Sequence, residues 1–573
     1  MHTTSRDAAQ DMAAQRRHQV FPVLDPADMT RMARYGEARH FHSGELLKRA
    51  GERSPGLFVL LAGRVVVKQR DGFGRQVPIV EHGPGEFMGE LGQLDGTASF
   101  TDAQAMDDVD ALHIPADRLR ALIISQADLG ERIMRALILR RAMLIESEAS
   151  GPVLIGHPQS PQVLRLQGFL RRNALPYQKM APDASDATTA LLEHYGATAD
   201  DVTTICPNGA VLVNPDEAQL ARCIGTLDPR DRPDCADVLI IGAGPAGLAT
   251  AVYAASEGLK VLVVDGRHFG GQAGASTRIE NYLGFPTGIS GLALAARAFV
   301  QAQKFGAEIM IPVAACALDC SRSDADRALR VQLGDGRWLK GRAIVVASGA
   351  SYRRPAVPRL AELEGRGVWY WASAMEAALC EGSDVALVGG GNSAGQAAVY
   401  LADHAARVHM LVRGRDLSRS MSRYLVDRIS DTPNIEVLPR TELCTVRGDR
   451  GTGLVGASWR SAADGSLRDG DIRNLFLFIG AQPETRWLEG CGVATDANGF
   501  ILTGTDAVTA RVPAPRALET SVPGVFAVGD VRAGSVKRIG GAIGEGAAVV
   551  ALIHQHLRSC DRSPEAAARP QDN

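Results

Sequence analysis

The apolar run Asp237-Val238-Leu239-Ile240-Ile241 leads directly into Gly242-Ala243-Gly244-Pro245-Ala246-Gly247. A strand thus feeds a tight turn, and the helix that begins inside the turn points its N-terminus at whatever lies above it. Gly242 permits the turn, Gly244 lets backbone approach a pyrophosphate, and Gly247 lets helix and strand pack closely. The next strand, Lys260 to Val264, ends in Asp265, about where a carboxylate accepts ribose hydroxyls. The same plan recurs at Asp384-Val385-Ala386-Leu387-Val388, followed by Gly389-Gly390-Gly391-Asn392-Ser393-Ala394, with Gly389, Gly391 and Ser393 as candidate contacts. Its second strand, Val408 to Val412, ends not in an acid but in Arg413-Gly414-Arg415, with Arg419 close behind. Guanidinium groups there suit a 2′-phosphate, so NADPH is preferred to NADH. Two dinucleotide sites in one chain suggest hydride passing from a nicotinamide to a flavin.

These sites occupy only a portion of a 573-residue chain, too long for one hydrophobic core and expected to be multidomain. Hydrophobic residues make up 45% and charged ones 22%, ordinary for a globular protein. Lys and Arg total 62 against 65 acidic residues, so the net charge of -3 gives no reason to expect nucleic acid or anionic lipid as a partner. No run reaches the roughly 18 apolar residues of a membrane span, and Met1 to Val20 has no apolar signal region. A cytoplasmic protein without membrane attachment is expected.

Nine cysteines are scattered along the chain, and no two form Cys-x-x-Cys. Neither a metal cage nor a disulfide framework is expected. Cys316 and Cys320 lie in or just after the apolar run Ile311 to Leu318, read as a strand, where four residues span about 13 Å, too far for a bridge. Buried, inert thiols are expected.

Before the glycine fingerprints come short β-type runs with glycine punctuation: Leu57 to Leu61, Gly63, Val65 to Val67 and Pro78 to Val80. They suggest a barrel or roll, closed by an amphipathic helix from Leu129 to Glu148. This layout, with Gly44, Gly51, Gly63 and Gly85 ahead of Phe87-Met88-Gly89-Glu90-Leu91, resembles the cyclic-nucleotide-binding domain over residues 20 to 148. The resemblance gives Glu90 the ribose hydroxyl of a small-molecule effector. Ser99 stands where that family has its phosphate arginine, so a cyclic phosphate would lack its cation. No helix-turn-helix follows.

Residues 151 to 225 read as strand Val153-Leu154-Ile155, helix Gln162 to Asn173, helix Ala187 to Tyr195 with Asp186 as N-cap, and strand Ala210 to Val213 after Pro207-Asn208-Gly209. The order resembles a thioredoxin or glutaredoxin fold. Where that family places its dithiol, this chain has Gly156-His157-Pro158-Gln159-Ser160-Pro161, so dithiol exchange at that position is excluded and a docking role is favoured. Thr226 to Ala236 reads as a linker.

From residue 236 to 560 the chain resembles bacterial-type thioredoxin reductase. Gly270-Gly271-Gln272, Ile279-Glu280-Asn281-Tyr282, Ala347-Ser348-Gly349 and Val525-Phe526-Ala527-Val528-Gly529-Asp530 match its flavin-contacting segments. The resemblance implies FAD contacts at Gly271, Gln272, Asn281, Gly529 and Asp530, and at Arg538, where Lys537-Arg538 replaces the family's Arg-Gln. It implies an FAD-binding domain split over 236–352 and 480–560, with an NADPH-binding domain at 353–479 between. The main departure is Gly367-Val368-Trp369-Tyr370-Trp371-Ala372-Ser373-Ala374-Met375-Glu376: Trp371, Ala374 and Met375 occupy the positions of the family's two cysteines and acidic proton donor. Neither indole nor methyl can attack a flavin or a disulfide, so a dithiol relay at this site is excluded. Trp371 either shields the flavin face or is an ordinary core indole. Cys380 nearby has no resolving partner and is given a structural role.

The expectation is therefore an N-terminal β-roll, a small α/β thioredoxin-like unit and two Rossmann-like α/β domains. The expected function is a homodimeric flavoprotein passing electrons from NADPH through FAD to an external acceptor of ferredoxin, flavodoxin or quinone type. Two alternatives stay open: a thioredoxin-disulfide reductase, and a redox regulator gated by a ligand at the N-terminal domain.

Overall fold

The computed structural model describes residues 16–561 except 71–72, 95–96, 148–149, 228–233, 277, 281, 322–327, 373, 450 and 508–513. Most of the linker read at Thr226 to Ala236 lies outside the described residues. So does the candidate contact Asn281.

The N-terminal roll consists of two antiparallel four-stranded sheets. Glu37–Phe41, Val109–Ile114, Leu57–Ala62 and Phe87–Met88 form one, and Leu46–Lys48, Asp102–Ala105, Val65–Arg70 and Gln76–His82 the other. Phe58, Leu60, Val65 and Val67 bury their side chains between the sheets. The closing helix runs Ala127–Glu146 and sets Leu129, Ile133 and Leu137 against the first sheet. Its Arg140 is buried, lies over the rings of Phe21 and Phe87 at 5.1 and 4.7 Å, and donates to the carbonyls of Val20, Phe87 and Gly89. One guanidinium thus ties helix, N-terminal segment and sheet together.

The middle unit runs strand, helix, strand, helix, strand, strand, helix. Its sheet order is Gln178–Met180, Val153–Ile155, Thr203–Ile205, Val211–Val213, with the first pair parallel and the others antiparallel. Ser185, not Asp186, caps the helix Asp186–His194, because the Ser185 hydroxyl accepts from the Thr188 amide at 3.2 Å. A serine one position earlier already satisfies an orphan N–H, and Asp186 opens the first turn.

The expectation of no disulfide is overturned here: Cys206, after Thr203–Ile205, is bridged to Cys223, the last residue of the helix Glu217–Cys223. The chain turns at Asn214–Asp216 and the helix lies back over the hairpin, bringing the two Cα atoms to 5.4 Å despite a separation of 17 residues. Spacing along the chain gave no sign of that return. The remaining seven cysteines form no disulfide, and they are not uniformly buried: Cys235 and Cys316 are exposed, and of the seven only Cys380 is fully inside. The run Ile311 to Leu318 is also not one strand. Pro312 has no N–H to give a ladder, the chain bends there, and the strand is Ala315–Asp319.

The first Rossmann-like sheet orders Glu308–Met310, Val261–Val264, Cys235–Ile241, Trp338–Val346, Leu329–Leu333 and Ala315–Asp319. Val525–Ala527 returns from far along the chain to pair in parallel with Ile344, Val345 and Val346. The second is all parallel: Val368–Trp369, Asn474–Leu477, Asp384–Val388, Arg407–Val412, Ile435–Pro439. The second sheet is covered on one face by helices Asn392–Ala402 and Arg423–Ser430 and on the other by the antiparallel strands Thr441–Asp449 and Gly453–Ser461, so its central strands are apolar on both sides.

The bridge predicts a measurable weakness. Closing a loop of this length stabilises by about 3 kcal/mol on chain entropy, so Cys223→Ser should melt or yield to limited proteolysis within residues 151–227 well before the wild-type protein does. Dithiothreitol should bring the wild-type protein to the same behaviour, and an unaltered digestion pattern in both would refute the bridge.

Candidate functional site

The loop after Cys235–Ile241 is closed by its own backbone. A Cβ at Gly247 would stand 1.9 Å from the Gly242 carbonyl oxygen, and one at Gly242 would stand 2.2 Å from the Ala347 oxygen. At Gly244, by contrast, a Cβ would meet nothing within 4 Å: this backbone faces open space, as a pyrophosphate cradle must. Helix Pro245–Ser256 starts at that point. Gly270 and Gly271 lie against the loop, with the Gly270 amide on the Ala243 carbonyl at 2.7 Å. Gly529, at a positive φ, packs its Cα side on Ala246. Segments more than 250 residues apart in numbering, from Gly271 to Gly529, thus converge on one loop.

Asp265 closes the second strand. Its carboxylate accepts from the amides of Ala243 at 2.8 Å, Arg267 at 2.8 Å and His268 at 3.1 Å, which fix it facing the loop. Gln272 gives its amide to the Ala350 carbonyl. Asp530 is held above the usual carboxylate range by burial, with Lys537 pulling the other way. The Lys537 ammonium sits on the Asp530 carbonyl at 2.5 Å and over Phe500 at 4.3 Å, while Arg538 is exposed at the start of helix Ile539–Asp561. Open backbone at Gly244, the acid at Asp265 and the turn of buried Gly529 and half-buried Asp530 could hold the pyrophosphate, ribose and ribityl portions of FAD.

The second loop repeats the construction. A Cβ at Gly389 would stand 2.4 Å from the Phe478 oxygen, while at Gly391, the cap of helix Asn392–Ala402, the nearest atom is 3.9 Å away. Ser393 lies in that helix's first turn. Ser420 and Ser422 pin the segment carrying Arg413, Arg415 and Arg419 over the loop through Gly390 and Asn392. All three arginines are exposed, and Arg413 and Arg415 make no ion pair with the described residues. Unengaged guanidinium groups beside the fingerprint fit a 2′-phosphate.

Trp371 donates its indole N–H to Glu376 at 2.8 Å and offers a face to Arg172, whose guanidinium lies 3.9 Å from the ring centroid. Arg172 ends the helix Pro161–Arg172 of the thioredoxin-like unit, and its Nη1 lies 3.5 Å from Nε2 of His268. Burial and the Arg172 charge hold the His268 imidazole below its ordinary pKa. With Nδ1 donating to the Phe269 carbonyl, the other nitrogen is left to accept. Arg172 and His268 were not legible in sequence: an arginine at a helix end and a histidine after Asp265 meet only once three units are packed. Cys380 is buried, its thiol pushed up to about 12 by burial and then by Glu376, so it stays protonated.

Glu90 departs from its expected role. Its carboxylate is internal, accepting from Lys48 Nζ at 2.7 Å, and Lys48 also reaches Thr101 at 2.8 Å. Burial alone would raise this carboxyl, but the charge and hydrogen bond of Lys48, with Arg141 behind, bring it below its ordinary value. A carboxylate neutralised in place is not presented to a ribose. Among the described residues, the potential metal-ligand atoms of exposed His40, His42 and Asp108 lie within 4.8 Å of one another, although His40 is already paired with Asp110.

Two outcomes follow from these contacts. Lys48→Met leaves Glu90 buried without its cation, which should cost about 3–5 kcal/mol at neutral pH. In the wild type, the pair's contribution is present above the carboxyl's ordinary value of 4.5 and is lost as pH falls through the depressed folded value. The melting difference between variant and wild type should therefore narrow on acidification; a gap constant with pH would refute the assignment. Arg172→Ala removes a stack worth about 1 kcal/mol. It should increase acrylamide quenching of the Trp371 emission, isolated by subtracting the Trp371→Phe spectrum; unchanged quenching would show that Arg172 does not cover the ring.

Comparison with known proteins agrees with this geometry. The profile of the cyclic nucleotide-binding domain matches residues 38–126, and that of the pyridine nucleotide-disulphide oxidoreductases matches residues 236–546. The chain is 35% identical over 330 residues to NADPH-dependent thioredoxin reductase 3 of Arabidopsis thaliana, a match covering 56% of this chain and 58% of that protein's length. It is 31% identical over 332 residues to thioredoxin reductase of Listeria monocytogenes, covering 58% of this chain and 97% of that one. The crystal structure of Lactococcus lactis thioredoxin reductase in its FR conformation superposes with a TM-score of 0.50 at 25% identity, covering 56% of this chain and 99% of the other. With two glycine cradles, an acid after the first and a matched profile across both, the chain belongs to the pyridine nucleotide-disulphide oxidoreductase family, FAD-dependent enzymes whose thioredoxin reductase homologues use FAD and NADPH.

Proposed function

We propose that this chain is an NADPH-dependent flavoprotein that delivers electrons to an external acceptor of ferredoxin, flavodoxin or quinone type without a dithiol beside the flavin. The observation that carries this reading is Trp371, an indole packed between Arg172 and Glu376 where the family has a cysteine. The one thiol close by in sequence, Cys380, is buried and protonated. When bound, FAD supplies the centre that accepts hydride and releases electrons. The chain's own residues do the positioning. Gly244 and Asp265 would hold the cofactor by backbone and carboxylate, Gly529 and Asp530 would hold its ribityl side, and Gly391 with Arg413, Arg415 and Arg419 would orient NADPH. Trp371 would limit access of water and oxygen to the flavin face. We place the protein in the cytoplasm as a homodimer; among the described residues no helix is long and apolar enough to cross a membrane.

A second reading, reduction of a partner disulfide, is favoured by one observation: the Cys206–Cys223 bridge in the thioredoxin-like unit. The two are separated by following NADPH oxidation with thioredoxin plus a disulfide reagent, then with ferricyanide, ferredoxin and quinones. Turnover should appear in the second set and survive Cys206→Ser/Cys223→Ser; disulfide reduction abolished by that pair would establish the second reading instead. Arg413→Ala and Arg415→Ala should each raise KM for NADPH roughly tenfold or more, since a charge-assisted contact contributes about 1.5–3 kcal/mol, and leave KM for NADH unchanged. Equal effects on both nucleotides would remove the 2′-phosphate assignment.

A further inference from the structure

Between the thioredoxin-like unit and the first Rossmann-like sheet lies a cleft of about 470 Å³. Its floor is Gly266 with Pro312, Val313 and Ala314, and its facing wall carries Arg165, Glu217 and Arg222. The floor begins one residue beyond Asp265, and the Val313 amide donates to the Asp265 carbonyl at 2.7 Å. A Cβ on Gly266 would stand 3.3 Å from that of Ala314, so the two floor segments lie side by side. A dinucleotide with its pyrophosphate on Gly244 and its ribose on Asp265 can carry its base outward past Asp265 and over this floor.

The wall supplies complementary chemistry. Glu217 accepts no hydrogen bond from the described residues, although Arg165, Arg172 and Arg267 all act on its charge; burial, the larger influence, holds its carboxyl above the ordinary range. Asp335, at the cleft's rim, is already engaged by Arg337 at 2.7 Å. Among the described residues lining the cleft, Glu217 is therefore an acceptor still available to a ligand. Adenine presents a 6-amino donor beside ring-nitrogen acceptors, a pattern that an unengaged carboxylate flanked by guanidinium groups can meet.

Building on the FAD reading above, we propose that the thioredoxin-like unit is the outer wall of the cofactor site, with Glu217 receiving the adenine amino group and Arg165 and Arg222 flanking the ring. The unit that has lost its own dithiol position thus serves to hold the cofactor. FAD in turn bridges the unit to the sheet, so binding it strengthens their docking.

The test is a titration of the full-length apoprotein, read by flavin fluorescence, with FAD, with FMN, and with the flavin dinucleotide carrying hypoxanthine in place of adenine. Glu217→Ala should weaken FAD about tenfold and leave FMN unchanged. Wild-type protein should prefer FAD to the hypoxanthine form, and Glu217→Ala should lose that preference, with Glu217→Gln restoring some of it through its amide oxygen. A wild-type protein that binds no flavin defeats the FAD reading itself. Wild-type binding of FAD with unchanged affinity in Glu217→Ala, or equal losses for FAD and FMN, overturns the wall assignment alone. AMP binding to FAD-saturated protein would give the cleft to a separate nucleotide and likewise overturn it.

Discussion

The structure depends on one close crossing. The helix Pro245–Ser256 can sit on the strand Cys235–Ile241 only because no side chain intervenes between Gly247 and the Gly242 carbonyl. That crossing leaves the backbone at Gly244 facing open space and brings the ends of the neighbouring strands within reach. Ala347 then lies against Gly242, Gly529 against Ala246, and Asp265 receives the Ala243 amide. A methyl group in the crossing would open all of these distances together. The inserted second sheet repeats the device at Gly389 against Phe478, where its first strand meets the returning Asn474–Leu477.

The N-terminal modules are not appendages on this core. Phe100 of the roll enters the same apolar cluster as Leu154, Val163 and Leu166 of the middle unit and Val238 and Leu239 of the first Rossmann-like sheet. Val300, on the helix Gly291–Lys304, packs on the cluster beneath the roll. A buried contact of this kind transmits displacement between modules better than an exposed ion pair, because apolar interiors resist partial opening. The roll directs Glu90 inward, toward Lys48, and packs on the other two units through Phe100 and Val300.

Much of this was readable in the residues. The strands after which the fingerprints stand, the acid at Asp265, the basic turn at Arg413 to Arg419 and the first strand of the middle unit all follow from local patterns of period, turn and charge. What was hidden is of a different kind. The Cys206–Cys223 bridge, the Lys48–Glu90 pair and the meeting of Arg172 with His268 and Trp371 join residues with no shared local pattern. Pro312 misled for a simpler reason: an apolar run carries the composition of a strand even where one missing N–H breaks it. Local signals thus identified elements and cradles, while the contacts between modules came only with packing.

Arg172 touches the imidazole of one nucleotide domain and the indole of the other at the same time. A swing that carries Trp371 away from His268 must first break either the contact to the imidazole or the contact to the indole, and the guanidinium then needs water or a new partner. Such a swing would meet resistance at its opening step, from a side chain that belongs to neither domain. Any reorientation of the two nucleotide domains would thus have to release a contact made by a third module that carries neither fingerprint.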